Sequence, residues 1–426
     1  MQQAIPFLSF PVAKISTGTG GKMTNLDEIF NSAYKSKVFR RREVLLPDYI
    51  PEILPHRDKE IKKVALTLAP SLRGERPSNI FIYGLTGTGK TAVVKYVLRK
   101  LKENATGKGV NVEYIYVNVR HRETPYRILA DIAEHFNIRV PFTGLSIGEV
   151  YNRIIRKISD IETVLIIALD EVDFLVKKYG DDLLYNLTRI NEQLSRSKVS
   201  LIGITNSLKL IESLDPRVKS SLNEEELVFP PYDAKQLQDI LYPRAMDAFV
   251  ENALDEDIVP LCSALAARDH GDARRALDLL RIAGEIAERE ERNKVVKDDV
   301  MKARIEIERD RVSDIIKTLP LHGKLVMLSI LITTGYGKDY ATTGEIYDKY
   351  KKIVSTLGFE EITLRRVSGI IGELDMLGII SGRIISRGRY GKTRVINLGG
   401  DAKTIIEALR EDPIMDEILN EEIKWK

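Results

Sequence analysis

The sequence has a single cysteine, Cys262, so no disulfide can form within the chain, which fits a reducing compartment. Its histidines, His56, His121, His135, His270 and His322, are scattered. No HxxxH or CxxC spacing occurs, so no zinc site is expected. No apolar run approaches the ~18 residues of a membrane span, and no membrane partner is expected. The N-terminus shows no basic stretch followed by an apolar core, so no secretory leader is read there. Internal repeats and low-complexity tracts are absent. An excess of one charge is missing too: 65 Lys and Arg face 62 Asp and Glu, a formal +3. Any surface for a polyanion must therefore be local.

The chain has 426 residues, room for roughly two to four domains. Residues 1–40 are poorly patterned and read as a flexible N-terminal segment. Within it, Ser16–Lys22 (STGTGGK) reads as linker and Met23 as an alternative start. Residues 41–232 alternate strand and helix. Asn79–Gly84, Val112–Val119, Thr163–Asp170, Val199–Asn206 and Glu226–Tyr232 are short β-rich runs between amphipathic stretches. That pattern belongs to an α/β fold, a parallel sheet wound by helices. Residues 233–310 read as helices only, with Leu277, Leu280, Ile282 and Ile286 at helical spacing. Residues 311–410 give helices Leu321–Ile332, Gly344–Thr356 and Leu364–Leu377. Strands Ile379–Ser386 and Thr393–Leu398 follow, around the turn Arg387–Lys392. Three helices and a hairpin describe a winged helix. Residues 411–426 remain as a C-terminal tail.

Gly84–Thr91 reads GLTGTGKT, a full phosphate-loop match between a strand and a helix, the context such a loop requires. Backbone N–H groups of Gly87, Thr88 and Gly89 close around phosphates, and the helix N-terminus favours their charge. Lys90 is expected to reach the β- and γ-phosphates of ATP or ADP, and the Thr91 hydroxyl to hold Mg²⁺. The apolar run Thr163–Leu169 ends in Asp170-Glu171. Asp170 is expected to organise Mg²⁺ through water, and Glu171 to orient and activate the attacking water. Asp173 reads as a solvated or capping carboxylate. Asn206 ends the next strand, where an amide can position water and sense the γ-phosphate.

This order, continued by LDPRVKSSL (Leu214–Leu222) and HGDARRALDLLR (His270–Arg281), resembles the AAA+ ATPases. Within them the chain looks like the archaeal replication initiators, relatives of the origin recognition complex and of the cell-division-control protein that helps load the replicative helicase. Leu46–Ile61, Tyr116–Ala133, Val140–Tyr151 and Leu321–Ile330 carry the likeness further, over about residues 40 to 400. The resemblance implies an all-helical lid after the AAA+ sheet. It makes Arg217 an arginine finger for a neighbouring subunit's γ-phosphate, and Arg274 the lid arginine that contacts phosphates, with Arg275 one slip away. Tyr232 and Arg244 are implied to line the nucleotide pocket, Tyr232 packing on the adenine. His56-Arg57 is implied to approach the adenine. Val140–Tyr151 maps to an inserted helix that touches DNA in initiators, while Arg120, His121 and Arg122 read as solvated charge. Leu85 departs from the Lys found in many relatives, at a position where the loop uses its backbone.

Ser381–Arg394 (SGRIISRGRYGKTR) holds five basic residues and no acidic one. In a winged helix this hairpin is the wing, and Arg387, Arg389, Tyr390 and Lys392 are expected to meet the minor groove or phosphates. Leu364–Leu377 is the expected recognition helix, with Thr363, Arg365, Arg366 and Ser368 where base edges are reached. The expectation is an initiator that binds duplex DNA at origin repeats, alongside other initiator subunits, and helps recruit the MCM helicase. ATP turnover would be slow, a switch more than a motor, in the cytoplasm at the nucleoid. The competing expectation is a winged-helix signal-transduction ATPase that regulates transcription. A clamp-loader subunit is disfavoured by the winged-helix end.

Overall fold

The structure is a computed structural model that describes residues 36–141, 144–207, 210, 214–222, 224–335, 340–386 and 392–421, without the side chains at 335, 386, 392 and 421. Five parallel strands, β1 (Ile80–Gly84), β2 (Val112–Asn118), β3 (Val164–Asp170), β4 (Lys198–Thr205) and β5 (Glu225–Phe229), form one sheet in the order β2-β3-β4-β1-β5. The central strand β3, VLIIALD, is buried along its whole length. It reads as an unbroken apolar run because helices cover both faces of the sheet. Alternation sorts its side chains: Leu165, Ile167 and Leu169 join one core with Phe81, Ile154 and Leu201, while Ile166 and Ala168 join another with Ile82, Val94 and Ile204. In register, Asn118 pairs with Asp170, Asp170 with Ile204, and Tyr83 with Thr205. The carboxyl ends of the middle strands therefore meet at one edge, where ligands of such sheets bind.

Helices α1 (Asp58–Leu68), α2 (Lys90–Gly107), α3 (Val119–Arg122), α4 (Pro125–His135), α5 (Ile147–Ser159), α6 (Val172–Tyr179), α7 (Asp182–Thr188) and α8 (Pro216–Leu222) accompany the sheet. The lid follows as α9 (Ala234–Ala248), α10 (Ile258–Arg268) and α11 (Ala273–Arg289). Asp233 starts it with a reciprocal capping box, its side chain accepting from Gln236 N–H. Helix α12 (Lys297–Thr318) runs unbroken across the boundary expected at residue 310. The winged helix comprises α13 (Leu321–Gly335), the short β6 (Ala341–Thr342), α14 (Thr343–Leu357), α15 (Leu364–Met376), β7 (Ile380–Ser386) and β8 (Lys392–Leu398). Two more helices, α16 (Ala402–Arg410) and α17 (Pro413–Glu421), complete the chain's C-terminal side.

Two further boundaries fall elsewhere than expected. Residues from Ser36 onward are packed: Val38, Phe39, Val44 and Leu45 are buried in the lid core, not in the sheet domain. Phe39 lies 4.8 Å from Phe249, and Arg40 and Arg41 donate backbone bonds to Ala248 O at 2.7 and 3.0 Å. Gly284 makes the space, since a Cβ there would stand 2.4 Å from the Phe39 ring. Two apolar pairs separated by charged residues carry no period, so the pattern hid them. At the other end, α17 buries Met415, Ile418 and Leu419 in the winged-helix core, and Lys324 Nζ bonds Asp412 at 2.6 Å. The expected tail is thus largely an integral helix. Residues 1–35, including Ser16–Lys22 and Met23, lie outside the described residues.

Candidate nucleotide site and candidate DNA-facing helix

The phosphate loop bends through left-handed backbone at Gly87 (φ 66°) and Gly89 (φ 90°). Both positions are also crowded. A Cβ on Gly87 would stand 1.7 Å from the Asp272 carboxylate of the lid, and one on Gly89 would stand 2.8 Å from the Tyr232 hydroxyl. Only glycine meets both demands. Ala273 N–H donates to Gly87 O at 3.1 Å, so lid and loop touch directly. Thr88 Oγ1 donates to Leu85 O at 2.8 Å and closes the loop. The carbonyl of Leu85 is what the site uses, as expected for a position whose side chain is exposed.

Lys90 is 6 % exposed, and its ammonium donates to Gly84 O at 2.9 Å, Leu85 O at 2.6 Å and Asn206 Oδ1 at 2.9 Å. All three of its protons are engaged. Burial, with a smaller contribution from the Arg274 charge, depresses its pKa to about 8 against the pull of Asp170. Thr91 Oγ1 donates to Asp170 Oδ2 at 2.6 Å, and Glu171 N–H donates to Asp170 Oδ1 at 2.9 Å. The hydroxyl thereby keeps its lone pairs, the oxygen donor a hard cation such as Mg²⁺ takes. Glu171 sits in left-handed backbone (φ 58°) at the start of α6, a strained setting for a non-glycine residue. Arg120 stands 3.9 Å from its carboxylate. Asp173 is more than a solvated or capping carboxylate: it accepts from Thr205 Oγ1 at 3.0 Å and ties α6 to the end of β4.

The residues implied by resemblance separate into two groups. Arg274 acts electrostatically on Lys90, whereas Arg275 is held by Asp269 at 2.8 Å and by Glu308. Arg275 is thereby committed to ion pairs with Asp269 and with Glu308 of α12. Tyr232 is buried against Gly89, but one face of its ring carries the Arg57 guanidinium at 3.9 Å. Arg57, 2 % exposed, also donates to Thr88 O at 2.9 Å and Pro230 O at 2.7 Å, joining loop and hinge. His56 instead pairs with Asp239 at 2.8 Å. Arg244 stacks on Tyr49 at 4.6 Å and donates to Tyr49 O at 3.3 Å, with Nε and Nη1 buried and unpartnered. Arg217 is exposed, chelated by Asp215 at 3.0 and 3.1 Å and laid over Tyr185 at 4.9 Å. Sequence reasoning assigned no role to Tyr116, and gave Arg120 only solvated charge. Tyr116 follows from strand register and Arg120 from the helix that begins where β2 ends, neither of which a linear pattern carries.

On the winged helix, Thr363 caps α15 by accepting from Arg366 N–H at 3.3 Å. Arg365, Arg366 and Ser368 are exposed on its first turns, and Arg366 pairs with Glu373 at 3.5 Å. Apolar Val367, Ile370, Ile371 and Leu374 bury the opposite stripe. Asp375 accepts from Gly382 N–H at 2.9 Å and pairs with Arg394 at 3.2 Å, which fastens the hairpin to α15. Arg387, Arg389 and Tyr390 lie outside the described residues, as does the side chain of Lys392. Within Val140–Tyr151, α5 begins at Ile147, capped by Ser146, and residues 142–143 lie outside the description.

A phosphate loop under a helical lid, with a winged helix beyond, defines an AAA+ ATPase of three parts. Comparison with known families agrees part by part. Residues 73–211 match the AAA domain, 238–305 the Cdc6 AAA+ ATPase-type lid domain, and 314–408 the CDC6 C-terminal winged helix domain. An ORC1-type DNA replication protein 1 of Aeropyrum pernix is 60% identical over 396 residues, 92% of this chain and all of that one. Its counterpart in Sulfurisphaera tokodaii is 56% identical over 386 residues, 91% of this chain and 96% of that one. The solved structure of the Aeropyrum pernix ORC1 protein in complex with DNA superposes with a TM-score of 0.82 at 60% identity, covering 90% of this chain and 100% of that chain. The chain belongs to the ORC1/Cdc6 family of DNA replication initiators. Among the described residues, no helix is long and apolar enough to cross a membrane.

Proposed function

We propose that this chain is an ATP-controlled initiator that binds duplex DNA at replication origins and helps recruit the MCM helicase. The observation that carries the reading is the joining of two sites on one chain. Lys90, Asn206, Thr91 and Asp170 interlock under the lid, and an arginine-bearing helix faces solvent beside a basic hairpin. An incoming phosphate exchanges with acceptors on Lys90, whose ammonium is already aimed through the loop. Thr91 and Asp170 would hold a magnesium ion on the protein side, and the ion would supply neutralising charge to the phosphates. Glu171 orients and activates the attacking water, and Asn206, which accepts from Lys90, positions that water and senses the γ-phosphate. Arg274 reports phosphate occupancy to the lid. Arg217 serves a neighbouring initiator subunit, since its own contacts are to Asp215 and Tyr185. Turnover is slow and acts as a switch.

On DNA, Arg365, Arg366 and Ser368 read base edges while the hairpin's Arg387, Arg389, Tyr390 and Lys392 hold the backbone. Family membership favours this reading over the transcriptional ATPase. The test is titration of the purified chain against an origin duplex and a scrambled duplex at several salt concentrations, with ATP and with ADP. Tighter binding to the origin, dependent on which nucleotide is bound, is expected. Equal affinity for both duplexes in both nucleotide states would contradict it.

A further inference from the structure

The Asp170 carboxylate receives three donors, and only two belong to recognised motifs. Thr91 Oγ1 donates to Oδ2 at 2.6 Å and Glu171 N–H to Oδ1 at 2.9 Å; the third is the Tyr116 hydroxyl, which donates to Oδ2 at 2.8 Å. Tyr116 reaches from β2, where it pairs in register with Ala168, two residues before the Asn118–Asp170 pair. Lys95 Nζ lies 4.1 Å from the ring centroid and fixes the ring from the α2 side. A phenol keeps its proton at neutral pH, so the Tyr116 hydroxyl is the donor in this bond.

The terminal torsion of a carboxylate is broad, and hydrogen bonds decide where its oxygens point. The Thr91 hydroxyl has one proton and two lone pairs. While that proton is held by Oδ2, the lone pairs stay free for a cation. If the carboxylate turns, Thr91 loses its acceptor and its orientation. Partners that orient a metal's own ligands shift metal affinity about tenfold or more when removed.

We propose that Tyr116 is a positioning residue for the magnesium side of the nucleotide site, holding Asp170 so that Thr91 presents its lone pairs to the cation. The inference rests on the nucleotide reading above. Its test is Mg²⁺ titration of the full chain with a methylanthraniloyl-labelled ATP, read by fluorescence, beside the same binding measured in EDTA. Tyr116→Phe keeps the ring and removes only the donor. We expect its affinity in EDTA to stay within about twofold of wild type, while the Mg²⁺ midpoint rises about tenfold. Replacing Tyr116 by p-aminophenylalanine, which keeps ring and donor, is expected to restore the wild-type midpoint. Should Tyr116→Phe fail to fold, p-methoxyphenylalanine against p-aminophenylalanine reads the same contrast. An unchanged midpoint in the Phe variant overturns the assignment, as does an equal shift in donor and non-donor variants. Loss of affinity in EDTA also overturns it, because the role would then be structural. Wild type that binds the labelled nucleotide under neither condition would overturn the nucleotide reading itself, a result separable from all of these.

Discussion

The phosphate loop and helix α15 solve opposite problems. Around the loop, Lys90 is 6 % and Asp170 5 % exposed, and every donor or acceptor they offer is engaged by a neighbour. On α15 the arginines stand in solvent, the Arg366 side chain 60 % exposed beside a 3.5 Å ion pair to Glu373. A buried, mutually satisfied cluster is cooperative, because losing one member leaves the others unpaired at about 1–3 kcal/mol per group. Exposed cations act singly, and surface pairs of that kind are worth ~0–1 kcal/mol. Substitutions in the first region should therefore abolish a function, and those in the second should grade it.

The largest expected effect is that of Lys90→Ala, which removes the only cation inside the loop. ATP binding should become undetectable by calorimetry; wild-type affinity would remove the loop from the nucleotide site. Glu171→Gln should retain binding and lose hydrolysis by a factor of about 10²–10⁴, since an amide cannot accept the water's proton. Turnover at the wild-type rate would acquit Glu171 as base.

Next in size is a pH effect specific to the buried region. Lys90 has its pKa lowered to about 8, and a phosphate beside it raises that value again. Nucleotide binding should then take up a proton above pH 8. Affinity is full below that value and falls as pH rises through it, by about tenfold at pH 9. Calorimetry in buffers of different ionisation enthalpy measures the proton count, and a pH-independent affinity between 7 and 9 would break the link to burial.

The DNA-facing helix should show graded losses of comparable size, confined to DNA binding. Arg365→Ala or Arg366→Ala should cost roughly 1–3 kcal/mol on an origin duplex and less on scrambled DNA, provided a bidentate guanine contact is lost. Arg389→Ala should weaken both duplexes alike and lower the salt slope by about one counterion. Least of all, Arg217→Ala should leave nucleotide binding by a monomer unchanged, because its contacts are to Asp215 and Tyr185. Weaker monomer binding would place it in its own subunit's site.

What sequence disclosed and what it hid divide along the same physical line. The strands, the loop and the winged-helix elements declare themselves locally, through period, glycine placement and an apolar run ending in Asp170-Glu171. Lys90, Thr91, Asp170 and Asn206 come together in space as that order requires. Contacts fixed by register or by the lid do not show in a linear pattern. Tyr116 reaches Asp170 across a strand pair, Arg57 spans more than 170 residues to Pro230, and Phe39 seals against Phe249. Arg244 stacks on Tyr49, a pairing across 195 residues that no linear pattern carries.

The central claim, that the buried nucleotide site governs an origin-binding helix, is tested most directly by footprinting the chain across the host chromosome, wild type beside Lys90→Ala. The account predicts discrete occupancy at replication origins by wild type, altered in the variant. Occupancy spread over promoters, or an identical origin footprint in the two proteins, would contradict it.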